Sequence, residues 1–204
     1  MSTRVMGDSA QYLNIPASVQ VAAFYGNGAY AVTIAQAEAR FPHAKYGRCW
    51  IDVLGTLPSA QARDWETGDK GGSLEQWVID HNKASGRKDA VVYCNVSTIP
   101  EVRELTGTQV LGVDYFLWVA TLDGTLFGPA QYPHVIANQI KGAQLTKGDW
   151  DESLVFDASF WLPVTPPAPK PAVPKVTQAQ AKAAIASAMT ALATLTVAIP
   201  ELPE

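Results

Sequence analysis

Short apolar runs alternate with polar, helix-prone stretches from Val19 to Trp161, and this rhythm sets the expected architecture. Residues 19–25, followed by Gly26, Asn27 and Gly28, predict a strand, and residues 33–40 a short helix. A second strand is expected over 46–54 and a third, shorter one over 62–66. Residues 73–84 carry Leu74, Trp77 and Val78 at helical spacing and stop near Gly86. Residues 90–96 predict a strand, and 99–105 a helix with Pro100 in its first turn. Strands over 115–120, 135–140 and 154–157 complete the pattern. Strands that are apolar throughout and separated by helices argue for a parallel sheet covered by helices. Several connections are too short for a full helix. The expected fold is therefore α/β, a shortened or irregular (β/α) TIM-like barrel over residues 19–162. Residues 1–18 are polar and irregular, and are expected to form an N-terminal arm outside it.

Beyond the barrel the pattern changes twice. Residues 163–175 contain Pro163, Pro166, Pro167, Pro169, Pro171 and Pro174, which suit neither sheet nor helix and predict a semi-rigid extended linker. Thr177 and Gln180 then form a capping-box pattern ahead of an Ala-rich stretch. Ile185, Met189, Leu192 and Ile199 give a seam of about 3.5-residue period, interrupted at Thr196, so a helix is expected over 176–200. An isolated helix of this length is marginal, so it calls for a partner: another copy, another protein or a membrane surface. Its polar face lacks the Lys and Arg of a membrane-lying helix, which favours protein. A frayed tail is the alternative.

Composition narrows the function classes. The 204 residues are 48% hydrophobic and 17% charged, enough apolar content for a core. A net charge of −4, with the Lys and Arg scattered, excludes a general nucleic-acid binder. The first ten residues lack the apolar run of a secretory signal, and no stretch approaches a membrane span. The expected location is the cytoplasm, with release by a route such as lysis. Cys49 and Cys94 sit in apolar strand-like runs and read as buried free thiols. His43, His81 and His134 lack ligand spacing, so neither a metal site nor a cofactor is expected.

The candidate chemistry centres on Asp64, Trp65 and Glu66. Carboxylates at i and i+2 on a strand share a face, and each raises the cost of ionising the other. Cleaving a glycosidic bond uses such a pair, one acid donating a proton and one carboxylate stabilising positive charge. The competing reading is a solvated turn, since Thr67, Gly68 and Asp69 follow at once. In a (β/α) barrel the C-terminal strand ends converge on one face. Those ends would bring Tyr25, Asn27, Asp52, Asn95, Asp123, Gln139 and Asp157 to the same mouth as Asp64 and Glu66.

The order of these pieces resembles the glycoside-hydrolase-like domains related to family-25 lysozyme-type muramidases, especially short actinobacterial and actinophage versions. The resembling segments are 49–53 (CWIDV), 62–69 (ARDWETGD), Gln76-Trp77, 91–98 (VVYCNVST), 116–121 (FLWVAT) with Asp123, 136–139 (IANQ) and 156–159 (FDAS). The resemblance implies Glu66 as proton donor, Asp64 as the carboxylate that stabilises the charged sugar intermediate by orienting the substrate's acetamido group, and Asp157 as the last acid of the site. Tyr25, Asn27, Asp52, Asn95, Asp123 and Gln139 would bind substrate. Trp65 should face the helix layer, with Tyr93 and Trp118 in the core. In the family the first strand ends in an aspartate, where this chain has Tyr25-Gly26-Asn27. That departure implies glycan binding with weak or no hydrolysis. Together with the linker and helix it points to a barrel displayed on a phage virion, as a capsid decoration or tail-associated protein, binding cell-wall or surface glycan. The helix would join it to other virion proteins or to itself. The alternative is an active muramidase.

Overall fold

The computed structural model describes residues 4–42, 47–66, 70–146 and 148–161. The chain divides into two units at Val164 and Thr165. The expected linker (163–175) and helix (176–200), with His43, lie outside the described residues.

Eight strands close into a barrel in chain order. They are β1 (Arg4–Asp8), β2 (Val21–Tyr25), β3 (Arg48–Asp52), β4 (Ala62–Asp64), β5 (Ala90–Asn95), β6 (Tyr115–Ala120), β7 (Val135–Lys141) and β8 (Asp151–Val155). Neighbours from β1 to β7 run parallel, whereas β8 is antiparallel to both β7 and β1. Helices α1 (Ile34–Arg40), α2 (Leu74–Ser85) and α3 (Ile99–Leu105) provide three of the crossovers, and a single turn, α4 (Ala143–Thr146), lies between β7 and β8. The shortened α/β barrel expected from the pattern is present at this level.

Two expectations fail. Residues 4–8 are not part of an outlying arm; they form β1, which closes the barrel between β2 and β8. Only Val5 and Met6 are large and apolar there, so the strand leaves no run to detect. The last strand spans 151–155 rather than 154–157, and it runs against its neighbours.

Local sequence explains the helices. Thr33 caps α1 by accepting from the Gln36 N–H, while the Gln36 side chain reaches back to the Thr33 N–H. Ser73 caps α2 by accepting from the Gln76 N–H, and Gly86 ends it in the left-handed conformation.

Alternation along the strands then sorts the core into layers. Met6, Val21, Ala23, Cys49, Ile51, Ala62, Val91, Tyr93, Trp118 and Val155 fill the barrel interior. Outward-facing Val92, Cys94, Leu117 and Val119 pack with Trp65, Trp77 and Val78 under α2 and α3. Ala22 and Phe24 pack with Ala37 and Phe41 of α1. Cys49 and Cys94 are buried free thiols, as expected.

Candidate functional site

The site follows from which way each strand end faces. On β1, Met6 points into the interior, so Asp8, two residues on, does too. On β4, Ala62 points inward, which turns Asp64 and then Glu66 the same way. Trp65 takes the opposite side and joins the helix layer. Because β8 descends from the mouth, its first residue sits there rather than its last. Asp151 is the register partner of Asp8.

Asp8, Asp64, Glu66 and Asp151 thus gather at one end of the barrel. Asp8 and Asp64 are buried, whereas Glu66 and Asp151 are half-exposed. Burial first, then the charges of Asp151, Asp64 and Glu66, hold Asp8 well above the ordinary carboxylate range. Burial also raises Asp151, against the N–H of Ala143 and a hydrogen bond with Asp8 that lower it. Oδ2 of Asp8 is buried without an N–H donor among the described residues. Like charges directly across a ladder repel, so the pair is stable when one proton is shared between them.

Two phenols complete the floor. Tyr25 ends β2 facing inward, and burial followed by Asp8, Asp64, Asp151 and Glu66 pushes its ionisation up. Tyr93, the register partner of Asp64, is raised by burial and then by Glu66, Asp8 and Asp64. Both remain neutral hydrogen-bond donors beside the acids. Beneath them Trp118 meets Tyr93 edge-on at 4.8 Å and donates from Nε1 to Ser153 Oγ at 3.0 Å. Asn95 ends β5 on the Tyr93 face, and Gln139 pairs in register with inward-facing Ser153 and Ala120. Of the residues expected from the sequence, Asp64, Glu66, Tyr25, Asn95 and Gln139 therefore face the barrel interior or its mouth.

Asp157, Asp52, Asn27 and Asp123 are placed otherwise. Asp157 follows the far end of β8, on the rim opposite the acids, where Oδ1 accepts from the Ser159 N–H and hydroxyl. Its assignment assumed a parallel last strand. The acid that β8 supplies to the mouth is Asp151. Asp52 is fully buried but points away from the interior, opposite to Ile51. Burial alone would raise it, but the Asn27 amide, the Leu57 N–H, the Trp77 indole and the Gly55 N–H together hold it below the usual carboxylate range. Asn27 also accepts from the Val53 N–H at 2.8 Å, so both its ends serve this loop. Asp52 and Asn27 clasp residues 53–57 rather than a substrate. Asp123 lies at the mouth end, but its Oδ1 takes the Thr125 N–H of its own turn at 2.8 Å.

Arg63, fully buried and facing outward on β4, locks the strand ends around the acid pair. Its Nη1 donates to the carbonyls of Asp52, Val53 and Asp64, and Nη2 to Gly71. On the same side His81 of α2 donates from Nδ1 to the Pro58 carbonyl at 3.0 Å, with Nε2 against Asp89 at 3.1 Å.

Asp8, Asp151 and Tyr93 escape the sequence-based list. Alternation of Met6 with Asp8 is the one signal that could have found the first, and strand direction is the missing information for the second. Among the described residues no cluster of His, Cys, Asp or Glu is placed to hold a metal ion.

Comparison with protein-family models, with curated proteins and with solved structures finds no match for this chain.

Proposed function

We propose that the barrel is a glycoside hydrolase acting on a bacterial cell-wall or surface glycan, with Glu66 as general acid and Asp64 as the stabilising carboxylate. The observation that carries this reading is Asp8. The departure that argued against hydrolysis was a first strand without its aspartate, yet Asp8 ends β1 and faces the other acids. In the reaction Glu66 gives its proton to the glycosidic oxygen as the bond from that oxygen to the anomeric carbon breaks. The positive charge left on the sugar is stabilised by Asp64, which orients the substrate's acetamido group. Water then attacks the anomeric carbon and returns a proton to Glu66. Asp8 and Asp151 keep the floor acidic without adding two full charges, while Tyr25 and Tyr93 offer neutral donors to sugar hydroxyls. The resemblance to family-25 lysozyme-type muramidases, and with it a TIM-like assignment of the barrel, supports the same substrate class.

Turbidity of cell-wall preparations, followed with release of reducing ends, tests the proposal. Wild-type protein clears them, and Glu66→Gln lowers the rate by at least about a hundredfold. Equal rates for the two proteins, or no clearing by either, rule it out.

Display on a phage virion remains the second reading, and one observation favours it. Arg4 pairs with Val155, so both ends of the barrel leave from the rim opposite the acids. A barrel held through either end keeps its mouth free. Anchoring through residues 176–200, to itself or to other virion proteins, belongs to this reading.

A further inference from the structure

One aromatic ring among the described side chains stands out into solvent. It belongs to Tyr30, 57% exposed, whereas every other aromatic side chain described is buried or half-buried. A single exposed apolar residue is ordinary in itself. The place of this one is not. Tyr30 lies between β2 and α1, at the mouth end of the barrel. Its ring centroid stands 6.1 Å from that of Tyr25, with the two planes inclined by 56°. Tyr25 faces inward and feels the charge of Asp8, Asp64, Asp151 and Glu66. The exposed ring is therefore one ring contact away from the acids.

The chain on both sides of Tyr30 is pinned. Before it, the Gly26 N–H donates to the Ile51 carbonyl at 2.8 Å, and the Asn27 side chain is held by Asp52, Thr56 and the Val53 N–H. Gly26 leaves no room for a side chain, since a Cβ there would stand 2.5 Å from Leu57 Cδ2. After it, the Val32 N–H donates to the Tyr25 carbonyl at 2.9 Å and closes the loop back onto the strand, and Thr33 caps α1. A tyrosine has few torsions to fix, so on a loop already held it loses little freedom when a ligand binds. A flat ring presented in this way beside a sugar-cleaving site suits the C–H face of a pyranose. The hydroxyls at the edge of such a sugar stay in water.

We infer that Tyr30 is the stacking platform of a further sugar subsite beside the acids, so that the substrate is a glycan chain rather than a single glycoside. Tyr25 links this platform to the carboxylates, so the sugar stacked on Tyr30 is a neighbour of the one being cleaved. Its contact adds affinity only for chains long enough to reach it. The inference rests on the glycosidase reading for the kind of ligand and on Tyr30 for its extent. An aliphatic side chain in the same place would give apolar area without a flat face, and that difference separates stacking from plain apolar contact.

Calorimetric titration of the full chain with peptide-free glycan strands of peptidoglycan, as hexasaccharide and as disaccharide, tests it. Every protein titrated carries Glu66→Gln, so that the ligand stays intact. The hexasaccharide should bind more tightly than the disaccharide. Tyr30→Ala should weaken the hexasaccharide about tenfold and leave the disaccharide unchanged. Tyr30→Phe should bind the hexasaccharide as the parent does, whereas Tyr30→Leu should match Tyr30→Ala. Hexasaccharide binding that depends on Tyr30, with no cleavage by the protein that keeps Glu66, supports the inference and removes only the hydrolase reading. Cleavage by that protein, with equal hexasaccharide affinity in Tyr30→Ala and its parent, overturns the inference and leaves the hydrolase reading intact. Absence of hexasaccharide binding overturns it, as does full affinity in Tyr30→Leu or an equal loss for both ligands in Tyr30→Ala.

Discussion

Asp8 carries the most consequential side chain of the site. Its carboxyl is buried across the ladder from Asp151, and its raised affinity for protons couples folding to pH. Below about pH 4 the group is protonated in both folded and unfolded chains and adds no penalty. As pH rises, the unfolded chain ionises first, so stability falls until the folded-state carboxyl ionises too. Asp8→Asn should therefore raise thermal stability at neutral pH, by roughly 0.5–2 kcal/mol, with the gain vanishing in acid. Calorimetry of the two proteins from pH 3 to pH 7 measures this; a variant less stable than wild type at neutral pH would contradict it. Asp52 has the opposite sign. Its carboxylate is held low, so its contribution is present above about pH 4 and lost as pH falls further. Asp52→Asn keeps the volume but removes the charge that six N–H groups, four from residues 54–57 and one each from Trp77 and Asn27, share. A loss of about 2–3 kcal/mol at neutral pH is expected in urea unfolding.

Among the elements, β4 and the loops beside it decide whether Asp64 and Glu66 are held in place. Arg63 ties four carbonyls from the ends of β3 and β4 and from Gly71, which a lysine cannot reproduce with one ammonium group. Arg63→Lys should lower stability by about 2 kcal/mol and lower kcat more than it changes KM, since the acid pair loses its alignment. Gly55 has a φ of 71°, and a Cβ there would stand 2.8 Å from the Gly71 carbonyl, so Gly55→Ala should loosen the same region. Some of this was legible in the residues. Ser73, Gly86 and Pro100 bracketed α2 and opened α3, and alternation around Ala62 turned Asp64 and Glu66 inward with Trp65 outward. The same alternation, applied to Ile51, would have turned Asp52 away from the mouth. β1 was hidden because five residues with a glycine and an arginine present no apolar run. The direction of β8 was hidden for a deeper reason. Strand polarity depends on pairing partners distant in sequence, so Asp157 and Asp151 could not be told apart from within their own segment.

For the whole molecule, antiparallel β8 does two things at once. It brings Asp151 to the mouth, and it returns the chain to the rim where β1 begins. Every strand of the barrel lies within residues 4–155, so a chain ending at Val164 should melt at the same temperature as the full protein. Under the display reading it should lose self-association or attachment to particles, as sedimentation velocity and particle pull-down would record. The account as a whole requires that Asp8 and Asp151 titrate as one coupled pair that feels the charge of Glu66. Carbon-13 NMR titration of the aspartate and glutamate carboxyls tests that most directly. The Asp8 and Asp151 signals should share one proton at neutral pH, and both should shift their midpoints in Glu66→Gln. Independent titration of these two near pH 4, unmoved by that substitution, would contradict it.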